Sequence, residues 1–234
     1  MIKKNFLVII PARSGSKRLK NKNILNFFNK PLIAHTINEA LKVKELDEII
    51  VSTDSKKILN ISKKYGANVP FLRPKYLSKS KTPSISVALH AINYFKKKNI
   101  EFEKVMLLQP TSPLRKAYHI RQACKLYRNK KAHSIISVCE NNHPIEWINY
   151  IDNSLSLKNF VNEKKIFLNS SEFKRSYKLN GAIFITNTKH LIKQKTFFLK
   201  KKIYAYIMDK RYSIDIDTKL DFDYAKFIKS NFLK

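Results

Sequence analysis

An unbroken apolar run, Phe6-Leu7-Val8-Ile9-Ile10, opens the chain and reads as a buried strand. From there to about residue 140 the pattern alternates strand and helix. Residues 31 to 43 carry Leu32, Ile33, Ile37, Ala40 and Leu41 at helical spacing. Glu48-Ile49-Ile50-Val51-Ser52 reads as a second strand, and Asp54 or Ser55 can cap a helix that runs to Tyr65 and stops at Gly66. Residues 84 to 97 are helical by Ile85, Ala88, Leu89, Ile92 and Phe95. Val105-Met106-Leu107-Leu108 is a third strand, 117 to 129 a helix, and Ser134 to Val138 a fourth strand. This order implies right-handed crossovers and an α/β fold with a mostly parallel sheet flanked by helices.

The rhythm breaks between 143 and 180, where short extended pieces, Trp147 to Ile151 and Leu155 to Phe160, suggest an inserted, β-rich arm used for dimerisation. Strand patterns resume at Ala182-Ile183-Phe184-Ile185 and Ile203 to Ile207, and a last helix runs from about Thr218 to Phe232. The 234 residues form one domain, 1–234, with 44% hydrophobic residues, enough for a core. No apolar run approaches the ~20 residues of a membrane span, and the apolar run ending at Pro11 is too short for a signal peptide, so a cytoplasmic location is expected. Cys124 and Cys139, with no CxxC pair, are expected to be buried thiols rather than a disulfide or zinc site. With only Gly15, Gly66 and Gly181 present, each glycine is expected to mark a positive φ or a close approach.

Forty-seven Lys and Arg against 17 Asp and Glu give a net charge of +30. That field favours anionic partners, but the lysines are spread along the chain and most serve as solvated surface. No RNP signature, zinc-finger spacing or dedicated basic helix supports the rival reading, a basic nucleic-acid-binding protein.

Two local patterns carry chemistry. After the first strand comes Pro11-Ala12-Arg13-Ser14-Gly15-Ser16-Lys17-Arg18-Leu19-Lys20-Asn21-Lys22-Asn23. A loop at the carboxyl end of a strand, with hydroxyls and several cations, can wrap a polyphosphate. It is neither a P-loop nor GxGxxG. Near the C-terminus, Asp215-Ile216-Asp217 places two carboxylates at i and i+2, on one side of an extended backbone, where both can face one Mg²⁺. The plainer readings are a solvated basic loop and a helix cap beside a surface acid.

The first segment resembles the nucleotide-binding signature of the acylneuraminate cytidylyltransferase family, the CMP-sialic acid synthetases with their legionaminate and pseudaminate relatives. Leu107-Leu108-Gln109-Pro110-Thr111-Ser112-Pro113-Leu114-Arg115 is similar to a second family motif. Phe71-Leu72-Arg73-Pro74, Asn180-Gly181-Ala182-Ile183-Phe184-Ile185 and Ser213-Ile214-Asp215-Ile216-Asp217-Thr218 resemble three more, in the family's order. The resemblance implies a Rossmann-like nucleotidyltransferase in which CTP and an acidic nine-carbon 2-keto sugar give a CMP-sugar and pyrophosphate, with Mg²⁺ as cofactor and a homodimer as the assembly. No membrane or nucleic-acid partner is implied. By the same resemblance Arg13, Ser14, Gly15, Ser16, Lys22 and Asn23 would hold the phosphates, and Arg73, Thr82 and Ser84 the cytidine. Gln109, Thr111, Ser112, Asn180, Gly181 and Phe184 would shape the sugar side. Asp215 and Asp217 would bind the metal, with Asp217 as general base and Arg13 and Lys22 stabilising charge at the reacting phosphate.

Two departures from the family pattern stand out. Ser80 occupies a region where the family usually has Asp, and the family's Arg-Gln pair before Asn180 is replaced by Asn169-Ser170-Ser171-Glu172-Phe173-Lys174-Arg175. Rival readings within the resemblance are an eight-carbon ulosonate nucleotidyltransferase, against which Gln109 to Arg115 argues, and an inactive homologue.

Overall fold

The computed structural model describes residues 1–158, 160, 169 and 172–233. Its centre is a six-stranded sheet built from β1 (Ile2–Pro11), β4 (Glu48–Ser52), β5 (Ile100–Leu107), β6 (Ser134–Glu140), β7 (Tyr177–Asn187) and β8 (Ile203–Ile207). The strand order is β4-β1-β5-β7-β6-β8. β1 pairs in parallel with β4 and β5, and β6 in parallel with β8, while β7 alone runs against its neighbours β5 and β6.

The apolar run of β1 is continuous because both faces of the sheet are covered. Phe6, Val8 and Ile10 face one layer, packed with Ile33 and Ile37 of α1 (Leu32–Leu41), Ile58 of α2 (Lys56–Lys64) and Ile120 of α4 (Ala117–Asn129). Leu7 and Ile9 face the other, against Val87, Ala91 and Phe95 of α3 (Ser84–Lys96) and Leu191 of α5 (Thr188–Gln194). A third cluster seats Phe222, Ala225 and Ile228 of α6 (Lys219–Phe232) on Phe27, Leu114 and Ile216. Burying such side chains is worth about 1.5–3 kcal/mol each, so this stripe holds α6, and the acidic loop before it, against Phe27, Leu32 of α1 and Leu114.

The helix limits follow local chemistry. The hydroxyl of Ser55 accepts from the Ile58 amide and caps α2, and Gly66, at φ +89°, ends its last turn. Thr218 and Asp221 cap α6 reciprocally. Both cysteines are buried and free. No helix among the described residues is long and apolar enough to cross a membrane.

Three expectations need correction. Of the expected arm, 143–180, the described residues up to 176 hold 3-10 turns and no strand, and 177–180 belong to β7 of the central sheet, so no separate β-rich arm occurs among the described residues. Trp147 to Ile151 is therefore not a strand, and Leu155 to Phe160 lies partly outside the described residues. Gly15 has no positive φ, unlike Gly66 and Gly181. A Cβ at Gly15 would meet only the Arg13 guanidinium, at an ordinary 3.5 Å. Finally, the pattern missed a small hairpin, β2 (Asn26–Phe27) and β3 (Lys30–Pro31), because Phe28 and Asn29 make its tight turn at positive φ without a glycine.

Candidate active site

β1 has its successor β4 on one side and β5 on the other, so the chain changes direction across the sheet at β1. Clefts open at the carboxyl ends of strands at such a point. Here the cleft is a cavity of about 500 Å³. The loop after β1 lines it with Arg13, Ser16, Lys17, Arg18, Lys22 and Asn23. The stretch between α2 and α3, with the start of α3, adds Arg73, Ser80, Thr82 and Ser84; the loop after β5 adds Gln109 and Thr111. The segment before α6 brings Asp215 and Asp217.

Five cations and two carboxylates thus share one cleft, and hydrogen bonds fix their arrangement. Lys22 Nζ donates to Asp217 Oδ1 and to the Ile216 carbonyl, both at 2.7 Å, and Arg18 Nη2 donates to Asp217 Oδ2 at 2.6 Å. Asn23 Nδ2 donates to the Arg13 carbonyl at 3.0 Å, closing the basic loop on itself. The Ile216 amide donates to the Thr111 carbonyl at 2.8 Å, tying the acidic segment to the β5 loop. Asp221 accepts from the Asp217 and Thr218 amides, which sets the backbone direction at Asp217.

Asp215 is open to cavity water yet has protein on most sides. Burial, and then the charge of Asp217, raise its carboxyl above the usual range, while a hydrogen bond from Thr111 works the other way. Arg73 is only 5% exposed; its Nε donates to Ser52 Oγ at 3.1 Å and its Nη2 to the Ser52 carbonyl. Burial pushes its guanidinium down to about 10, with the charge of Asp54 opposing. It therefore stays charged at neutral pH and presents a fixed cation to the cleft.

The cavity gathers Arg13, Ser16, Lys22, Asn23, Arg73, Thr82, Ser84, Gln109, Thr111, Asp215 and Asp217 from the sequence reading. Six further residues of that reading are not among its lining residues. Ser14 gives both its amide and its hydroxyl to Asp54, each at 2.8 Å, so its hydroxyl already has a protein partner. Gly15 offers its carbonyl to Arg13. Ser112 is fully buried, its hydroxyl without a hydrogen-bond partner among the described residues. Asn180 is committed internally: Oδ1 accepts from Ser137 Oγ and the Ala182 amide, and Nδ2 donates to Ser213 Oγ at 3.0 Å. Phe184 packs on Phe197 and Phe198 in the core over α3 rather than on the cavity wall. Gly181, at φ +70°, lets the backbone pass where a Cβ would stand 3.1 Å from Gln109 Oε1 and 3.7 Å from Asp215 Oδ2. Of the stretch 169–175, Ser170 and Ser171 lie outside the described residues.

Sequence reasoning missed two residues that shape this site. Asp54, read as a helix cap, instead holds the basic loop through Ser14; the signal was an acid just past the end of the strand beside β1. Arg115 was quoted within a motif but given no role. It is 1% exposed, and donates to the carbonyls of Gln109 and Ala182 and to Thr36 Oγ1 at 3.1, 2.8 and 2.7 Å. It thereby pins the β5 loop to β7 and α1.

Comparison with known proteins fits this cleft. A family described as cytidylyltransferase matches residues 7–232. The chain belongs to the cytidylyltransferase family. It is 41% identical over 224 residues to the N-acylneuraminate cytidylyltransferase of Escherichia coli O18:K1:H7, a match covering 94% of this chain and 51% of that protein. The chain thus spans about half the length of that relative. It is 38% identical over 217 residues to the CMP-N,N'-diacetyllegionaminic acid synthase of Legionella pneumophila, with 92% of each covered. Among solved structures, a CMP:2-keto-3-deoxy-manno-octonic acid synthetase complexed with CTP superposes with a TM-score of 0.70 at 15% identity, over 97% of this chain and 99% of that one. At that identity the likeness speaks for the fold alone.

For a cytidylyltransferase the remaining question is the metal. No group of three or more His, Cys, Asp or Glu side chains able to hold an ion occurs among the described residues. Mg²⁺ is commonly held by one or two carboxylates, with phosphate oxygens and water completing its shell. Asp215 and Asp217 fit that role. Both line the cavity, and burial with the charge of Asp217 disfavours the ionised Asp215 carboxyl, a cost that a cation beside it would offset.

Proposed function

We propose that the protein activates an acidic nine-carbon 2-keto sugar with CTP, releasing pyrophosphate and forming a CMP-sugar. The observation that carries this reading is the gathering of Arg13, Lys17, Arg18, Lys22 and Arg73 with Asp215 and Asp217 in one cavity. A cleft that holds five cations together with two carboxylates, Arg18 and Lys22 already on Asp217, suits a triphosphate delivered with a divalent cation. The two relatives, named for N-acylneuraminate and N,N'-diacetyllegionaminic acid, support the substrate class.

In this reading Arg13, Ser16, Lys22 and Asn23 hold the phosphates, and Arg73, Thr82 and Ser84 receive the cytidine. Gln109 and Thr111 meet the sugar acid, while Asn180, Gly181 and Ser112 shape that side from behind. Asp215 and Asp217 hold Mg²⁺, which when bound neutralises phosphate charge and makes a nearby hydroxyl more acidic. The reaction needs positioning and charge stabilisation rather than a protein nucleophile. Lys22 supplies charge at the α-phosphate. Asp217 takes the proton of the anomeric hydroxyl; since Lys22 and Arg18 both hold its carboxylate, one of them turns to the phosphates first. A homodimer belongs to the same proposal. It is supported by an exposed apolar row across three strands, Leu179 and Ile207 on either side of Val138, which a second copy would cover.

The test is pyrophosphate release with Mg²⁺, CTP and, in turn, sialic, legionaminic, pseudaminic and eight-carbon ulosonic acids, with Asp217→Ala alongside. Release with a nine-carbon acid that is lost in the variant supports the proposal. Release with the eight-carbon acid alone, or with none while CTP still binds, overturns it.

A further inference from the structure

A second concave surface lies across the β5 loop from the nucleotide cavity. It measures about 550 Å³ and is enclosed by the β2–β3 turn, α1, residues 113–116 and the end of α6. Lys30, Lys42, Lys116 and Lys229 line it, and Glu39 is the one carboxylate among its lining residues. Glu39 is already committed: it accepts from the Ala117 amide at 2.7 Å and pairs with Lys42 at 2.6 Å. Lys30, Lys116 and Lys229 have no ion-pair partner among the described residues.

Lys116 and Lys229 are half-buried, and Lys30 is exposed at the rim. Lys229 is half-buried, with its ammonium 4.2 Å from the centre of the Phe28 ring and 5.2 Å from that of Phe27, so its stem is fixed. Burial and the charges of Lys116 and Lys30 lower its affinity for its proton. The same three lysines, after burial, keep His35 on the cavity wall neutral, at about 4. Like charges this close, in a concavity with one neutralised acid, are a standing cost that an anion would remove.

We infer that this cavity binds a small polyphosphate anion, inorganic pyrophosphate or a nucleotide, at a site separate from the nucleotide cavity. Three cations on one concavity call for a multivalent oxyanion rather than a single carboxylate, and a volume of about 550 Å³ suits a small molecule. The inference does not depend on the proposed reaction.

The test titrates the full chain with pyrophosphate by calorimetry, in metal-free, low-salt buffer. The wild type is expected to show two sets of sites. Lys116→Met/Lys229→Met loses one set, with affinity there at least about tenfold weaker, the effect of one or two charge-assisted hydrogen bonds. Lys22→Ala loses the other set and keeps this one. A second readout is melting: without anion the double variant melts above the wild type, and pyrophosphate raises the wild type more than the variant. Unchanged stoichiometry and affinity in the lysine variant, or a single wild-type set that Lys22→Ala removes, overturns the inference. CTP in place of pyrophosphate then tells a nucleotide ligand from an inorganic one.

Discussion

Replacing Gly181 by alanine tests whether the backbone at β7 sets the geometry of the sugar side of the site. The residue sits at φ +70°, and an L side chain in the left-handed region costs about 1–2 kcal/mol. For a chain of this size that lowers the melting temperature by roughly 2–8 °C. The new Cβ would also stand 3.1 Å from Gln109 Oε1 and 3.4 Å from its Cδ, so the Gln109 amide must retreat by a few tenths of an ångström. If Gln109 meets the sugar acid as proposed, a shift of that size costs about tenfold in kcat/KM. Gly66→Ala is the matched control. It carries the same backbone cost at φ +89°, but its Cβ meets Leu41 Cδ1 at 3.1 Å, the end of an exposed side chain remote from the cleft. Melting and pyrophosphate-release kinetics are measured on both variants. Both should melt early, and only Gly181→Ala should lose activity beyond its loss of folded protein. Equal activity in the two, or a Gly181→Ala that melts with the wild type, refutes the reasoning.

Other expectations follow from the same contacts. Asp54→Ala frees the Ser14 amide and hydroxyl, so KM for CTP should rise about tenfold, the worth of one or two charge-assisted hydrogen bonds, with a smaller change in kcat; Asp54→Asn should retain more. Asp215→Asn should abolish turnover and yet raise the melting temperature at pH 7, because the folded state disfavours the charged carboxyl there. That gain should fade in acid, where the wild-type carboxyl is protonated. Burial holds His35 and His119 at about 4, against 6.5 when exposed, so the unfolded chain takes up these protons first. Stability should therefore be full above about pH 6.5 and fall towards pH 4, by about 1–2 kcal/mol for each imidazole, measured by urea unfolding at pH 7 and 5.

Wherever one local period dominated, the element was legible in the sequence. The limits 117–129 for α4 and Ile203–Ile207 for β8 coincide with the pattern, as does the capping of α6 by Thr218. Ends were less legible: β5 begins at Ile100, where Glu101 and Glu103 interrupt the apolar run, because its pairing with β1 continues past the buried part. The β2–β3 hairpin was hidden because non-glycine residues make its turn. Within the site, residue types were readable but partners were not. The family resemblance implies Ser14 as a phosphate ligand, and only the packing of β1 beside β4 brings Asp54 to it. Asn180 was read as facing the sugar, whereas its amide joins Ser137 and Ser213, 43 and 33 residues away in sequence. Non-local hydrogen bonds of this kind leave no local pattern to read.

The central claim is that the anomeric oxygen of the sugar acid attacks the α-phosphorus of CTP in this cleft. It is tested most directly by supplying the acid labelled with ¹⁸O at the anomeric position and following the product by phosphorus NMR. The account predicts an isotope-shifted CMP phosphodiester, with unlabelled pyrophosphate released in equal amount. Label in the pyrophosphate, or a CMP product without label, would contradict it.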